Sequence, residues 1–362
     1  MNSDHLDSEI LEIRRRTNIL PHITPSNALD EKKRFFRNRG SHNPSFMYSP
    51  VESLEITRLL DRIIQLEVPS DSPLKKECEQ FLSQALRNVE LIMSRGNGNL
   101  VLQSSLETDG GISPELVESA KSTLKDTPIT QERAKIPGQK VKSELEKALR
   151  DLELHGWNVE FSEKPETTVF GERKLITLSK SRLFTESELR ALPVHEVGVH
   201  ALRAHNGYSQ PSILFAIGLE GYLETEEGLA SYFEKITNRS NPLVTRKYAL
   251  RVLTIESMSR GNDFKTTFSM LKDYGLNDSD AWGMTLRAYR GGDGTFYGLA
   301  KDHVYFKGLR RVEAFHENGG NLDDLLVGKI GIDNLARCKK LIENGDLHKP
   351  SISSEEVIGY FK

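Results

Sequence analysis

The chain has 362 residues, 37% hydrophobic and 28% charged, with a formal net charge of -3, which reads as a globular protein with room for one large domain or two ordinary ones. The near-neutral balance gives no general pull toward nucleic acid, and the longest apolar run, residues 213–219, is far short of the roughly 20 residues a bilayer needs. Residues 1–9 are polar and acidic, and Cys78 and Cys338 lie far apart in sequence, so export signal, disulfide framework and thiolate zinc site are all unexpected and a reducing, cytoplasmic home follows as the default.

Along the chain, basic clusters come first, at Arg14, Arg15 and Arg16 and again over residues 32–39. They read as solvated faces, with docking of an acidic protein tail or a membrane surface as the lesser alternative. Apolar residues at helical spacing then predict one helix through Leu54, Leu59, Ile63 and Leu66, and a second through Leu74, Phe81, Leu82, Ala85, Val89 and Ile92, closed by Gly96. A polar Gly and Asn stretch follows, then a short helix opened by Ser113-Pro114 and a loop through Pro128 and Pro137-Gly138. A boundary near residue 130 separates an N-terminal helical region, 1–130, from a catalytic domain, 131–362, although the two could form one compact unit.

Beyond that boundary the period changes. After a helix over about residues 141–154, Trp157, Val159 and Phe161 alternate, and residues 175–178 form an apolar cluster, so two short strands are predicted. The segment 173–180 could offer a sheet edge to an extended peptide, or be a plain structural strand. Thr185 and Glu188 are spaced as a capping box, with Phe184 and Leu189 as its hydrophobic staple, so a helix starts there. Pro193 falls inside that helix and predicts a kink or a fresh start just before His195. From residue 210 onward the pattern is helical, with stops at Gly261, Gly275 and the glycine-rich loop 291–298. The fold class expected is α+β, predominantly helical, with a small sheet.

The chemistry is concentrated in His195-Glu196-Val197-Gly198-Val199-His200. A zinc peptidase needs imidazoles and a carboxylate to hold the ion, with one position open, plus a separate carboxylate to take a proton from water. Here, however, the two histidines are five residues apart rather than four. On a regular α-helix five residues turn through about 500°, which aims the rings roughly 140° apart. A wide turn that absorbs one residue would restore the offset, and Gly198 lies inside the interval. The alternative is that both are ordinary helix histidines and that Gly198 only lets another helix come close. His205, five residues further on, reads as a helix-end histidine rather than a ligand. A third ligand is sought on the next helix, where Glu226 lies near the centre of the stripe Leu219, Leu223, Ala230 and Phe233, and Glu227 about 100° away at its margin.

HEVGVHALR together with TEEGLA resembles the family of the microtubule-associated tyrosine carboxypeptidases and their bacterial relatives, named after a QEGLA motif. The likeness covers most of the chain: Asn43-Pro44-Ser45-Phe46 with Tyr48-Ser49-Pro50, residues 173–178, Arg287-Ala288-Tyr289-Arg290-Gly291 and Lys301-Asp302-His303-Val304-Tyr305. It implies a zincin-like metallopeptidase core, one zinc ion held by His195, His200 and Glu227, and Glu196 as the catalytic base. Some members carry glutamine at the position of Glu226, a poor replacement for a zinc carboxylate, so the resemblance, against periodicity, moves Glu226 out of the ligand set to a supporting role behind it. Ala300 and Ala201 depart from the family pattern, where threonine and an aromatic residue are expected, without touching a ligand.

The expected function is removal of a C-terminal residue, tyrosine or another aromatic, from a peptide or protein tail. Such an enzyme needs a cation for the terminal carboxylate, and Arg203, Arg287, Arg290 and Lys301 are the candidates. The alternatives are an endopeptidase or aminopeptidase using the same site, or a non-catalytic binding protein that keeps the metal as a structural element.

Overall fold

The computed structural model describes residues 3–127, 129, 132–164 and 166–362. The expected boundary near residue 130, with Pro128, lies outside the described residues. The chain is an α+β protein, mostly helical, with one three-stranded sheet. None of the described helices is long and apolar enough to cross a membrane, and Cys78 and Cys338 are both free and buried.

The predicted helices form where apolar spacing placed them, over Ser53–Gln65, Lys75–Met93, Pro114–Asp126 and Gly138–Asp151. Ser113 caps the third by accepting from the Leu116 N–H. After the polar Gly and Asn stretch comes a helix that the spacing did not predict, Gly98–Asp109. Asn97 is its N-cap, accepting from Leu100, so an asparagine that reads as loop composition is a helix start. The Gly96 backbone has φ +89° but donates to Gly291 O at 2.7 Å instead of closing the preceding helix.

The sheet has order β1-β3-β2, with β1 at Asn158–Ser162, β2 at Thr168–Phe170 and β3 at Leu175–Ser179. β1 runs parallel and β2 antiparallel to β3, and Ile176 at the centre faces both Val159 and Val169. The expectation of a free edge over residues 173–180 is therefore corrected. β3 is hydrogen-bonded on both sides, and the edges belong to β1 and to the three-residue β2, too short to show an alternation in sequence.

From β3 the chain enters the helix Glu186–Leu192, whose capping box is complete: Thr185 Oγ accepts from Glu188 N at 3.1 Å, and Glu188 Oε2 accepts from Thr185 N at 2.8 Å. At Pro193 the hydrogen bonding changes and residues Pro193–Ala201 form a π-helix, continued by an α-helix over Leu202–Tyr208. Proline has no N–H to give to the ordinary ladder, which lets the register slip there. Val194, Val197, Val199, Ala201 and Leu202 are all fully buried. Each large one contributes about 1.5–3 kcal/mol of burial, enough for packing to hold a turn that propensity would not choose. These residues share one core with Ile10, Ile13 and Phe81 from the N-terminal helices and with Ile176 and Leu178 from β3.

Tyr222–Ile236 packs directly on the π segment and also lies along Val304–Glu317. The C-terminal helix Ser354–Phe361 covers Gly198, where a Cβ would stand 2.9 Å from Phe361 Cε2 and 3.2 Å from Val357 Cγ1. Both readings of Gly198 thus hold in part: the turn is wide, but the glycine itself makes room for a neighbouring helix.

The crossing of Tyr222–Ile236 with Val304–Glu317 is made by Gly228 and Gly308. A Cβ on Gly308 would fall 1.9 Å from Glu224 O, and one on Gly228 would fall 2.2 Å from Gly308 C. Backbone cannot yield as a flexible side chain can, so Gly308→Ala should separate the helices and cost about 3 kcal/mol or more. Thermal or urea unfolding measures this, and an unchanged midpoint would show that the helices are less tightly apposed.

Candidate metal centre

The π turn brings the two histidine rings together, with centroids 4.7 Å apart and planes at 74°. Facing them is Glu227, one turn into Tyr222–Ile236. One ligand atom from each of His195, His200 and Glu227 lies within 4.8 Å of the others, and His195 Nε2 is 3.7 Å from Glu227 Oε2. Two imidazoles and a carboxylate are the donor set of a zinc site that keeps a position open.

Each histidine is oriented from behind by a buried carboxylate. His195 Nδ1 donates to Glu234 Oε1 at 2.6 Å, and His200 Nδ1 donates to Glu226 Oε1 at 3.0 Å. With Nδ1 engaged, Nε2 is the nitrogen left on each ring for an ion, which is the usual division of labour at metal-binding histidines. Burial alone would lower the pKa of His195, but Glu227 and Glu234 outweigh it and raise it well above the ordinary histidine value.

Glu226 is the better-held partner. Arg203 Nη1 donates to its Oε2 at 2.7 Å and Lys329 Nζ donates to its Oε1 at 2.7 Å. Burial opposes its charged form, yet Lys329, Arg203 and His200 together hold its carboxyl well below the usual range. Burial also opposes the charged form of the partly buried Glu227, but His195 and His200 lower its pKa. Glu196 goes the other way: burial raises its pKa, against the pull of the two histidines. It is 7% exposed, a buried carboxylate next to the histidine pair and held by no Lys or Arg among the described residues, which is the environment of a proton acceptor.

The cation candidates separate clearly. Arg203 is fully buried, and it donates to the carbonyls of Leu325, Gly328 and Ile330 as well as to Glu226. Its role is to tie the 325–330 loop to the ligand helix, which removes it from the carboxylate receptors. Arg287 makes a two-pronged pair with Asp302, and Arg290 Nη2 approaches the same carboxylate at 3.9 Å. Lys301 lines a cavity of ≈ 530 Å³ with Asp109, Lys307 and Glu224, into which none of the three ligand candidates projects. His205 stands apart from the triad, with Nδ1 buried and unpartnered among the described residues.

Several residues of the site escape sequence reasoning. Glu234 lies seven residues beyond Glu227, two helical turns along the same face, and that spacing was the available signal. Lys329, Tyr248 and Tyr305 reach the site only through tertiary packing. Burial pushes the Tyr305 phenol up to about 12, and the charge of Glu227 adds to it; Tyr248 is raised by the same two causes. The upstream segment around Asn43 acts at a distance. Tyr48 Oη accepts from Gly291 N at 2.8 Å and donates to Gly292 O at 2.6 Å, fixing the glycine-rich loop next to Arg290.

Residues 33–357 match the family described as microtubule-associated tyrosine carboxypeptidase. A Mus musculus protein described as putative tyrosine carboxypeptidase MATCAP2 is 26% identical over 342 residues, which are 92% of this chain and 58% of that protein. The Homo sapiens microtubule-associated tyrosine carboxypeptidase 1 is 35% identical over 125 residues, 33% of this chain and 26% of its own length. The chain thus spans little more than half of the longest-matched relative.

Proposed function

The chain belongs to the microtubule-associated tyrosine carboxypeptidase family, and from that premise we propose that it is a zinc-dependent carboxypeptidase removing a C-terminal tyrosine or other aromatic residue from a protein tail. The observation that carries the reading is the convergence of His195, His200 and Glu227, each histidine backed by a carboxylate, beside the buried and otherwise uncommitted Glu196. In this reading the small sheet, the π segment and the Tyr222–Ile236 helix form a zincin-like core, the ion is a single zinc, and the protein works in the cytoplasm.

Zinc, when bound, supplies Lewis-acid chemistry, polarising the scissile carbonyl and acidifying water toward a pKa of about 7. Glu196 takes the proton of the attacking water and later hands it to the leaving amine. Glu226 and Glu234 keep the two imidazoles aimed, so that no reorientation is needed as charge develops. Arg287 and Arg290 are the candidates that remain for the substrate's terminal carboxylate. In this reading substrate approaches along the face of Tyr222–Ile236 that carries Glu227, Ser231 and Glu234, the last two of which line a groove. That groove is walled by Val244, Thr245 and Leu309.

The test is incubation of the zinc-loaded protein with a C-terminally diverse peptide library, read by mass spectrometry. We expect loss of a single C-terminal residue, fastest for tyrosine, stopped by a chelator and restored by zinc. Internal cleavage would replace the reading with an endopeptidase, and N-terminal release with an aminopeptidase.

A further inference from the structure

Besides its own hydrogen bonds, the wide turn that carries both histidines has an outside support. The helix Tyr222–Ile236 ends at its C-cap Thr237, and Asn238 turns the chain back with φ +56°. Arg239 N then donates to Glu234 O at 2.8 Å, the backbone carbonyl of the residue whose carboxylate orients His195. The Arg239 side chain reaches two further elements. Its Nε donates to Phe361 O at 2.8 Å, on the last turn of Ser354–Phe361, and its Nη1 donates to Arg190 O at 3.3 Å, on the helix that ends where the π segment begins. The guanidinium also lies 5.4 Å from the centre of the Phe361 ring.

Among the described residues this guanidinium bonds to carbonyls and to no carboxylate. The helix dipole favours a cation beside the last carbonyls of a helix, and a planar fork fixes direction where an ammonium would not. One side chain thus joins the helix before the turn to the helix that covers it. What it holds down is the Phe361 ring, 2% exposed, which stands so near Gly198 that a Cβ there would meet Cε2 at 2.9 Å. Gly198 lies between the two histidines. A π turn is rare because its register competes poorly with the α register, and relaxation to the α register would leave the two imidazoles about 140° apart around the axis.

We propose that Arg239 is a positioning residue for the metal centre: by clasping Phe361 over Gly198 and anchoring Arg190, it keeps Pro193–Ala201 in the wide register in which His195 and His200 face one ion. The ion rests on the metal reading above; the hold on the turn does not.

Two measurements on the full chain test this separately. Hydrogen exchange of the metal-free protein reads the turn itself. Arg239→Gln should speed exchange of the amides of residues 194–201 by about tenfold or more, the scale of one lost hydrogen bond to a charged group, and leave Lys75–Met93 unchanged. Chelator competition reads the consequence. Arg239→Gln and Phe361→Ala should each weaken zinc binding about 10- to 100-fold, as loss of an outer support does. Arg239→Lys keeps the charge but loses the fork, and should recover part of both effects. Asn97→Ala, which removes a helix cap elsewhere, should lower the melting temperature and leave zinc affinity and the exchange of the turn as they are. Melting curves identify any variant that fails to fold, and Arg239→Lys then carries the test. Unchanged exchange at residues 194–201 in Arg239→Gln, undiminished zinc binding in that variant, or an equal loss of zinc in Asn97→Ala overturns the proposal. An unmodified protein that binds no zinc, but whose turn loosens in Arg239→Gln, would lose the metal reading and keep this one.

Discussion

Glu227→Gln should strip zinc from the protein and abolish hydrolysis, whereas Glu226→Gln should leave a zinc site weakened about 10- to 100-fold. The two carboxylates are adjacent in sequence, so composition does not distinguish them, and their exposure differs only modestly, Glu226 being buried and Glu227 partly buried. Their partners distinguish them. Glu227 faces both histidines with no Lys or Arg paired to it among the described residues, while Glu226 sits behind His200 and is neutralised by Arg203 and Lys329. An amide at 227 removes a charged donor from the ligand set. An amide at 226 keeps an oxygen for the His200 N–H but leaves two buried cations without their anion, and breaking such a network costs about 3–5 kcal/mol. The Glu226 variant should therefore melt early and bind zinc weakly, and the Glu227 variant should melt close to the unmodified apoprotein. Chelator competition and thermal unfolding measured together separate these outcomes. Tight zinc binding by Glu227→Gln and its loss in Glu226→Gln would reverse the assignment.

Glu196→Gln should retain zinc and lose about 10²- to 10⁴-fold in kcat, the usual contribution of a positioned general base. The substitution is isosteric and leaves the triad untouched, but an amide does not accept the proton. Stability should move the other way. Burial raises the folded pKa of Glu196, so it favours the folded state only when protonated and opposes it once ionised at neutral pH. The neutral glutamine removes that penalty, and the apo variant should melt at the same temperature or higher. An active enzyme with glutamine at 196 would exclude this residue as the base, and a marked loss of stability would mean that its carboxylate is a structural anchor.

Much of this site is legible in the sequence because it depends on local geometry. Five residues between His195 and His200 do not suit a regular helix, and Pro193 marks where the ladder gives way, so the wide turn follows from spacing and from a missing N–H. The capping box at Thr185 and Glu188 starts the helix that delivers the motif for equally local reasons. The asparagine at 97 shows the limit, since the same residue type closes a loop or opens a helix according to what packs on the next turn. Helical projection favours Glu226 over Glu227 because it counts burial against the core alone. Here the buried face of Tyr222–Ile236 is divided between apolar packing, a salt-bridged carboxylate and a cleft, and periodicity does not resolve the three.

On its own, then, the sequence determined the wide turn, the histidine pair, the glutamate between them and the helix whose carboxylates come to face them. Only the tertiary structure decided that Glu234 and Glu226 stand behind the histidines, that Arg203 is bound to the 325–330 loop, that β3 is the middle of the sheet, and that Arg287 and Arg290 converge on Asp302. The division has a physical cause. Backbone hydrogen bonding and turn geometry act over four or five residues and leave a periodic trace, while a buried charge finds its counter-charge about a hundred residues away, as Glu226 does with Lys329.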